Sequence, residues 1–291
     1  MKSKVLLVFI ITISLWPLPL FSRLERGQPT QQIQIIMREI LVLEMLIANM
    51  RRRQEITAPT YLTVNLRTNS VLLEKNVNQP HPIASITKLM TALLTKEKID
   101  QDRTIVLTAE MLKPLGQSPV LFAGLEISAE KLLKANLIQS TNDASLALAH
   151  FLGPAKFVDL MNERAKEIGM KETIFVDPHG LSLKNRSTVQ DLLKLLSYIY
   201  TNHPEILTIT KNNDFWLPDR NGKLLKFQNM NHFYPLPNFI GGKSGFLPNA
   251  RQSMAAIFEI NNNPIAILVL RSNNRQADIF AILRKINKLN Y

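Results

Sequence analysis

Pro82-Ile83-Ala84-Ser85-Ile86-Thr87-Lys88-Leu89-Met90-Thr91-Ala92 is the stretch on which the reading of this chain turns. A loop from Asn78 to Pro82 runs into a helical stretch from about Ser85 to Ile99. Ser85 and Lys88 stand one turn apart and so share a face of that helix. A helix start adds free backbone N–H groups and a partial positive charge. A hydroxyl placed there can be activated by a neutral lysine amine, and an oxyanion can be held by backbone donors. The four-residue pattern decides little by itself, because Ser128-Ala129-Glu130-Lys131 repeats it. There the plain reading is a helix N-cap with an acidic first turn. Taken alone, Ser85 is open to the same reading.

Two further elements lie outward from this stretch. Ser140-Thr141-Asn142 falls in the short break between two helical stretches, Ser128 to Leu137 and Asp143 to Phe151. Lys243-Ser244-Gly245 lies on a late strand with neighbouring glycines, and small residues on a strand beside a cleft let a substrate backbone come close. Ser272-Asn273-Asn274 matches the second pattern without such a setting. Gly242-Lys243-Ser244 resembles the end of a phosphate loop, but the upstream glycine position holds Pro237 and no helix follows. Each element is weak alone. A nucleophile at a helix start, a second motif in an interhelix turn and a third on a strand, in this order, form a far more specific set.

The surrounding pattern predicts the fold class. Tyr61 to Leu66 alternates like a strand, and Val71 to Lys75 reads as its hairpin return. Strand-like runs come back late, at Ile240 to Phe246, Gln252 to Ile260 and Pro264 to Arg271. Between them lie helical stretches, with breaks at Gly153-Pro154 and near Pro204, and a loop at Asp177-Pro178-His179-Gly180. An amphipathic helix from Gln276 to about Leu289 closes the chain. This segregation predicts an α+β fold in which an antiparallel sheet of terminal strands packs with a helical region, leaving a cleft between them.

The stretch from about Pro59 to Arg271 resembles the low-molecular-mass penicillin-binding proteins, the serine D-alanyl-D-alanine carboxypeptidases and endopeptidases of peptidase family S11 type. Pro82 to Ala92 looks like that family's nucleophile segment, Ser140-Thr141-Asn142-Asp143-Ala144-Ser145 like its second motif, and Asp177-Pro178-His179-Gly180-Leu181-Ser182 like one of its loops. The resemblance implies a β-lactamase/transpeptidase-like fold and cleavage of peptidoglycan stem peptides, as a D-Ala-D-Ala carboxypeptidase or, alternatively, as an endopeptidase on crosslinks. It implies β-lactam antibiotics as covalent inhibitors. It further implies that Ser85 attacks the penultimate carbonyl, that Lys88 takes its proton, and that Ser140 relays a proton to the leaving amine. Asn142 would hold the substrate or orient Lys88. Lys243, Ser244 and Gly245 would border the substrate's terminal carboxylate, and the oxyanion would sit between the backbone N–H groups of Ser85 and Phe246.

The chain departs from the family pattern at Ser244, where threonine is usual, and at Ala250-Arg251, where alanine-glycine is usual. The hydroxyl survives the first change. Arg251 reads as a surface residue before a substrate contact. A class A β-lactamase would need a glutamate for the deacylating water, and residues 150–200 show no E-x-x-L-N pattern. An inactive penicillin sensor would have lost a catalytic side chain, and none is lost. His179 and Asp177 invite a Ser-His-Asp triad, but the run suits a structural turn and Lys88 already supplies a base.

Composition bounds the remainder. A net charge of +12 favours anionic partners. Nucleic acid is not among those expected, because no zinc pattern, RNP-type strand or basic reading helix is present. The chain has no cysteine, so disulfides and thiolate metal sites are impossible, and the five histidines lack metal-ligand spacing. No metal or cofactor is expected. Lys2 and Lys4 precede an apolar run from Val5 to Phe21, which reads as an export signal. Residues 1–22 are therefore expected to be a signal peptide or uncleaved signal anchor. Residues 23–57 are expected to hold an amphipathic leader helix and linker, with Arg51, Arg52 and Arg53 after the apolar Ile33 to Met50 segment. That helix would lie on a membrane surface through residues 33–53, or pack on the main domain. Residues 58–291 would form the peptidase domain without a C-terminal β domain. The expected location is the periplasm or the outer face of the cytoplasmic membrane.

Overall fold

The computed structural model describes residues 55–114 and 120–288, together with Ile36, Ile40 and Val42. The chain divides into two compact units, Met1–Arg52 and Arg53–Tyr291. In the first unit the three described residues are helical with exposed side chains. The signal reading of residues 1–22 and most of the leader reading of residues 23–57 lie outside the described residues. Among the described residues no helix is long and apolar enough to cross a membrane.

The second unit is built on one antiparallel sheet of five strands. These are β1 (Thr60–Asn65), β2 (Ser70–Lys75), β9 (Phe239–Leu247), β10 (Arg251–Ile260) and β11 (Asn263–Ser272), in the order β2-β1-β11-β10-β9. The early hairpin thus joins the late strands, with Thr60 opposite Leu270 and Asn65 opposite Ile265. The run Ile265-Ala266-Ile267-Leu268-Val269-Leu270 is apolar without alternation, and every member is buried. Successive side chains on a strand point to opposite faces, so such a run requires cover on both. Ala266, Leu268 and Leu270 face the larger core with Ala255 and Ile257, while Ile265, Ile267 and Val269 face a second core with Met254, Ala256 and Phe258.

The larger core belongs to the helical region between the terminal strands. Its helices are α1 (Lys88–Lys98), α2 (Ala129–Ile138), α3 (Asn142–His150), α4 (Pro154–Ile168), α5 (Val189–Asn202) and α6 (Pro204–Lys211). Every residue of α1 from Lys88 to Thr95 is buried, so α1 runs through the middle of this layer. The second core is roofed by α7 (Arg275–Lys288), which presents Ile279, Ile282 and Ile286 to the sheet. Buried Asp278 fastens α7 to the start of β1, accepting hydrogen bonds from Thr57 N at 2.7 Å, Ala58 N at 2.9 Å and the Ser272 hydroxyl.

The α+β expectation therefore holds, with the closing helix on the face opposite the helical region. The sequence reading ended a helix near Pro204 and found nothing after it. In the structure Pro204 opens α6, where a proline at the first helical position costs no hydrogen bond. Three two-stranded ribbons were also missed: β3 (His81–Pro82) with β6 (Arg186–Ser187), β4 (Thr104–Val106) with β5 (Glu126–Ser128), and β7 (Trp216–Pro218) with β8 (Leu224–Lys226). Strands of two or three residues are too short to show a period.

Candidate active site

Ser85 does not sit in the first turn of an α-helix. Ala84–Thr87 form a 3-10 turn, and α1 begins only at Lys88. The turn carries no side-chain cap, whereas Ser128 Oγ does accept from Lys131 N at the start of α2. The two copies of the same sequence pattern thus part company, one capping a helix and one holding its hydroxyl free of that duty. Ala84 is held at φ 49°, a left-handed conformation that costs energy for any residue with a Cβ.

Two glycines let the nucleophile turn be packed from both sides. Gly180 has φ +85°, and a Cβ there would lie 2.0 Å from the Ala84 carbonyl oxygen. A Cβ on Gly245 would lie 2.7 Å from Ile83 O and 3.2 Å from Ser85 N. Strand β9 therefore runs along the Ser85 amide only because position 245 has no side chain.

Lys88 is fully buried behind Ser85. Its Nζ lies 3.1 Å from Ser85 Oγ, 2.7 Å from Asn142 Oδ1 and 2.6 Å from the His179 carbonyl oxygen. The last two atoms can only accept. A neutral amine has two N–H donors and one lone pair, so these two acceptors take both protons and leave the lone pair facing the serine O–H. Burial pushes the Lys88 pKa well below the ordinary lysine value, and the nearby Lys243 charge adds to this. Asp177 and Asp143 pull the other way without reversing it.

Lys243 on β9 is also buried, with its Nζ 3.1 Å from Ser244 O. Burial, and then the Arg275 charge, lower its pKa to about 7. Ser140 follows α2 with φ 62°, a second left-handed non-glycine residue at this site. Ser85, Ser140, Asn142, Ser244, Gly245 and Phe246 line one cleft of about 250 Å³, joined by Gln139, Met230 and Arg275. All eight residues singled out from the sequence are thus gathered, six lining the cleft and the two lysines behind it.

The Asp177 loop holds its own turn through its side chains and reaches Lys88 through the His179 carbonyl. The Asp177 carboxylate accepts from the amides of His179, Gly180 and Ser182, and His179 Nδ1 lies 3.0 Å from it. These contacts hold the Asp177 pKa down at about 2, against the opposing effect of burial. The imidazole lies against Asp177 within the turn, while the side chain hydrogen-bonded to Ser85 Oγ is Lys88, in keeping with a structural turn. Buried Asn185 ties the loop to the nucleophile helix, accepting from Val176 N and donating to Asp177 O and to Thr87 Oγ1. Thr91 donates to Pro178 O from the next turn of α1. Sequence reasoning noted this loop but missed the carbonyl of His179, since a backbone group leaves no mark in residue identity.

Arg251 is exposed and donates to Asn273 Oδ1 at 2.9 Å, so the surface reading holds. The arginine at the cleft is Arg275, whose Nη1 donates to Gly245 O at 3.1 Å. It opens α7 just after the Ser272-Asn273-Asn274 run, which the sequence reading set aside.

With this geometry in hand, the comparisons point one way. Residues 47–274 match the family model described as D-alanyl-D-alanine carboxypeptidase, peptidase S11. A D-alanyl-D-alanine endopeptidase of Escherichia coli K12 is 32% identical over 236 residues, covering 74% of this chain and 72% of that protein. The crystal structure of a D-alanyl-D-alanine carboxypeptidase from Mycobacterium tuberculosis H37Rv superimposes with a TM-score of 0.74 at 25% identity, covering 79% of this chain and 91% of that one. Penicillin-binding protein D2 from Listeria monocytogenes in its cefotaxime-bound form gives a TM-score of 0.67 at 25% identity, over 80% of this chain and 97% of that one.

Proposed function

The chain belongs to the D-alanyl-D-alanine carboxypeptidase family of peptidase S11 type and is a serine DD-peptidase, and from that premise we propose that it releases D-alanine from peptidoglycan stem peptides through an acyl-enzyme on Ser85. The observation that carries the assignment of Ser85 is the Lys88 amine, buried, with both its N–H groups committed to acceptors and its lone pair toward Ser85 Oγ. Ser85 Oγ attacks the penultimate carbonyl carbon while its proton passes to Lys88 Nζ. The carbonyl oxygen takes the negative charge between the Ser85 and Phe246 amides. The C–N bond then breaks, and the leaving amine receives the proton through Ser140. Water hydrolyses the resulting ester and regenerates Ser85. Asn142 holds Lys88 in place, and Lys243 with Ser244 receives the terminal carboxylate. A β-lactam would acylate the same serine, a reading supported by the cefotaxime-bound relative.

A second reading, cleavage of crosslinks, is favoured by the endopeptidase named above, which matches 74% of this chain. Digestion of purified crosslinked and uncrosslinked muropeptides, followed by mass spectrometry, separates the two. Free D-alanine from uncrosslinked pentapeptides supports the carboxypeptidase. Conversion of dimers to monomers without it supports the endopeptidase. Neither product sinks both.

The proposed carboxylate site makes pH dependence diagnostic. Lys243 is charged only below its pKa of about 7, so its attraction for a carboxylate is full below that pH and fades above it. Lys88 acts as base only when neutral, so it shapes the acid limb. We expect kcat/KM for a peptide with a free terminal carboxylate to fall above about pH 7 by up to about tenfold per pH unit. An ester substrate lacking that carboxylate should keep its rate there. Matching profiles for both substrates would remove Lys243 from this role.

Peptidoglycan lies outside the cytoplasmic membrane, so the enzyme works as an exported protein. We place it in the periplasm or at the outer face of the cytoplasmic membrane, held there through residues 33–53. The exposed helical side chains of Ile36, Ile40 and Val42 and the run Arg51-Arg52-Arg53 support this. A chain starting near residue 24 should sediment with anionic vesicles at low salt and be released as salt screens the arginines. Indifference to vesicles at low salt would end the surface-helix reading.

A further inference from the structure

The β7–β8 hairpin carries an apolar face that the catalytic cleft does not use. Its inner side chains are anchored: Leu217 is buried, and buried Phe215 and Phe227, just outside the strands, meet as a tilted ring pair with centroids 4.9 Å apart. Its outer face exposes Trp216, Pro218, Leu224 and Lys226, with Trp216 opposite Lys226 and Pro218 opposite Leu224. Trp216 is 47% exposed and Leu224 60%. Alternation along two paired strands places all four on one side.

This face is held stiffly. The indole N–H of Trp216 donates to Asp214 Oδ1 at 2.8 Å, and Lys226 Nζ stands 5.4 Å from the ring centroid. At the tip, Asp219 Oδ1 accepts from Asn221 N and Lys223 N. At the base, Asn229 donates to Thr210 O and Asn212 O, and the next residue, Met230, lines the cleft. The hairpin face is therefore continuous along the chain with the cleft wall.

We propose that the exposed face Trp216–Pro218–Leu224–Lys226 docks the glycan–peptide polymer that carries the scissile stem peptide, with Trp216 stacking on a sugar ring and Lys226 meeting its anionic substituents. The proposal rests on the DD-peptidase reading and deepens it. A pyranose ring offers a flat C–H surface that packs on an immobilised aromatic face, and the wall polymer carries carboxylates. Lys226, with Arg220 and Lys223 at the tip, supplies the complementary charge. A lipid surface fits less well. Trp216 is tied down by its indole N–H to Asp214 and is not free to insert among acyl chains.

The test uses the full chain and three readouts: sedimentation with purified insoluble peptidoglycan, hydrolysis of a sugar-free acyl-D-Ala-D-Ala peptide, and the rate of penicillin acylation. Trp216→Ala should weaken polymer binding about tenfold, the scale of losing an aromatic anchor, and leave the other two unchanged. Lys226→Gln should weaken it less and flatten its salt dependence. Leu224→Ser provides a second lesion of the face should Trp216→Ala fail to fold. Unchanged polymer binding in folded Trp216→Ala or Leu224→Ser overturns the proposal, as does a parallel fall in peptide hydrolysis. A parent chain that binds the polymer through Trp216 but neither hydrolyses the peptide nor takes up penicillin would leave the docking surface standing and remove the catalytic reading.

Discussion

Ser85→Ala is expected to fold like the parent, take up no labelled penicillin, and lose on the order of 10⁴-fold or more of its peptidase rate. The expectation follows from the position of the hydroxyl. Ser85 Oγ is 3.1 Å from Lys88 Nζ and opens on the cleft, with β9 against its own amide. Alanine removes the attacking atom and leaves the surrounding frame intact. Asn142 Oδ1 and His179 O still receive the Lys88 protons, so few buried polar groups are orphaned. Ser140 and Ser244 are the other serines that belong to both the motif set and the cleft. Mass spectrometry of penicillin-treated protein locates the adduct. An adduct on Ser140 or Ser244 in the parent, or undiminished labelling of Ser85→Ala, would overturn the assignment.

Lys88→Arg is expected to cost roughly 100-fold or more in acylation rate, the scale of removing a general base. A guanidinium stays protonated at every accessible pH and has no lone pair to accept the serine proton. The site is also closed, with Lys88 fully buried and three atoms within 3.1 Å of its Nζ, so the larger head must displace a neighbour. Lys88→Met separates chemistry from bulk. It removes the base without adding a charge and orphans two acceptors, at about 1–3 kcal/mol each. It should therefore fold with a lowered melting temperature and show the same loss of acylation. Near-parental acylation by folded Lys88→Met would show that another group takes the proton.

How far the sequence could be read depended on whether each feature was local. The three late strands declared themselves because each is nine or ten residues long and rich in buried side chains, with Ile265 to Leu270 apolar throughout, and such runs leave a pattern. The central helix did so because the largely apolar run Leu89 to Leu94 follows directly on Lys88. The ribbon β7–β8 did not, since three residues cannot show a period, and α6 was hidden by a proline that usually ends a helix. Arg251 attracted notice for breaking a family pattern and proved to be a surface residue, whereas Arg275 attracted none and stands at the cleft.

By itself the sequence determined the fold class, the family and the three motif segments, because strand periodicity, helix spacing and motif order are properties of neighbours along the chain. Motif order singled out Ser85, but the four-residue pattern it shares with Ser128 held no physical distinction between the two. The tertiary structure made that distinction by burying Lys88 between Asn142 Oδ1 and a backbone carbonyl ninety-one positions away at His179, with Lys243 contributed by the far strand. Whether a lysine is a base depends on its desolvation and on which acceptors claim its protons. Both are set by chain segments that meet only in the folded state.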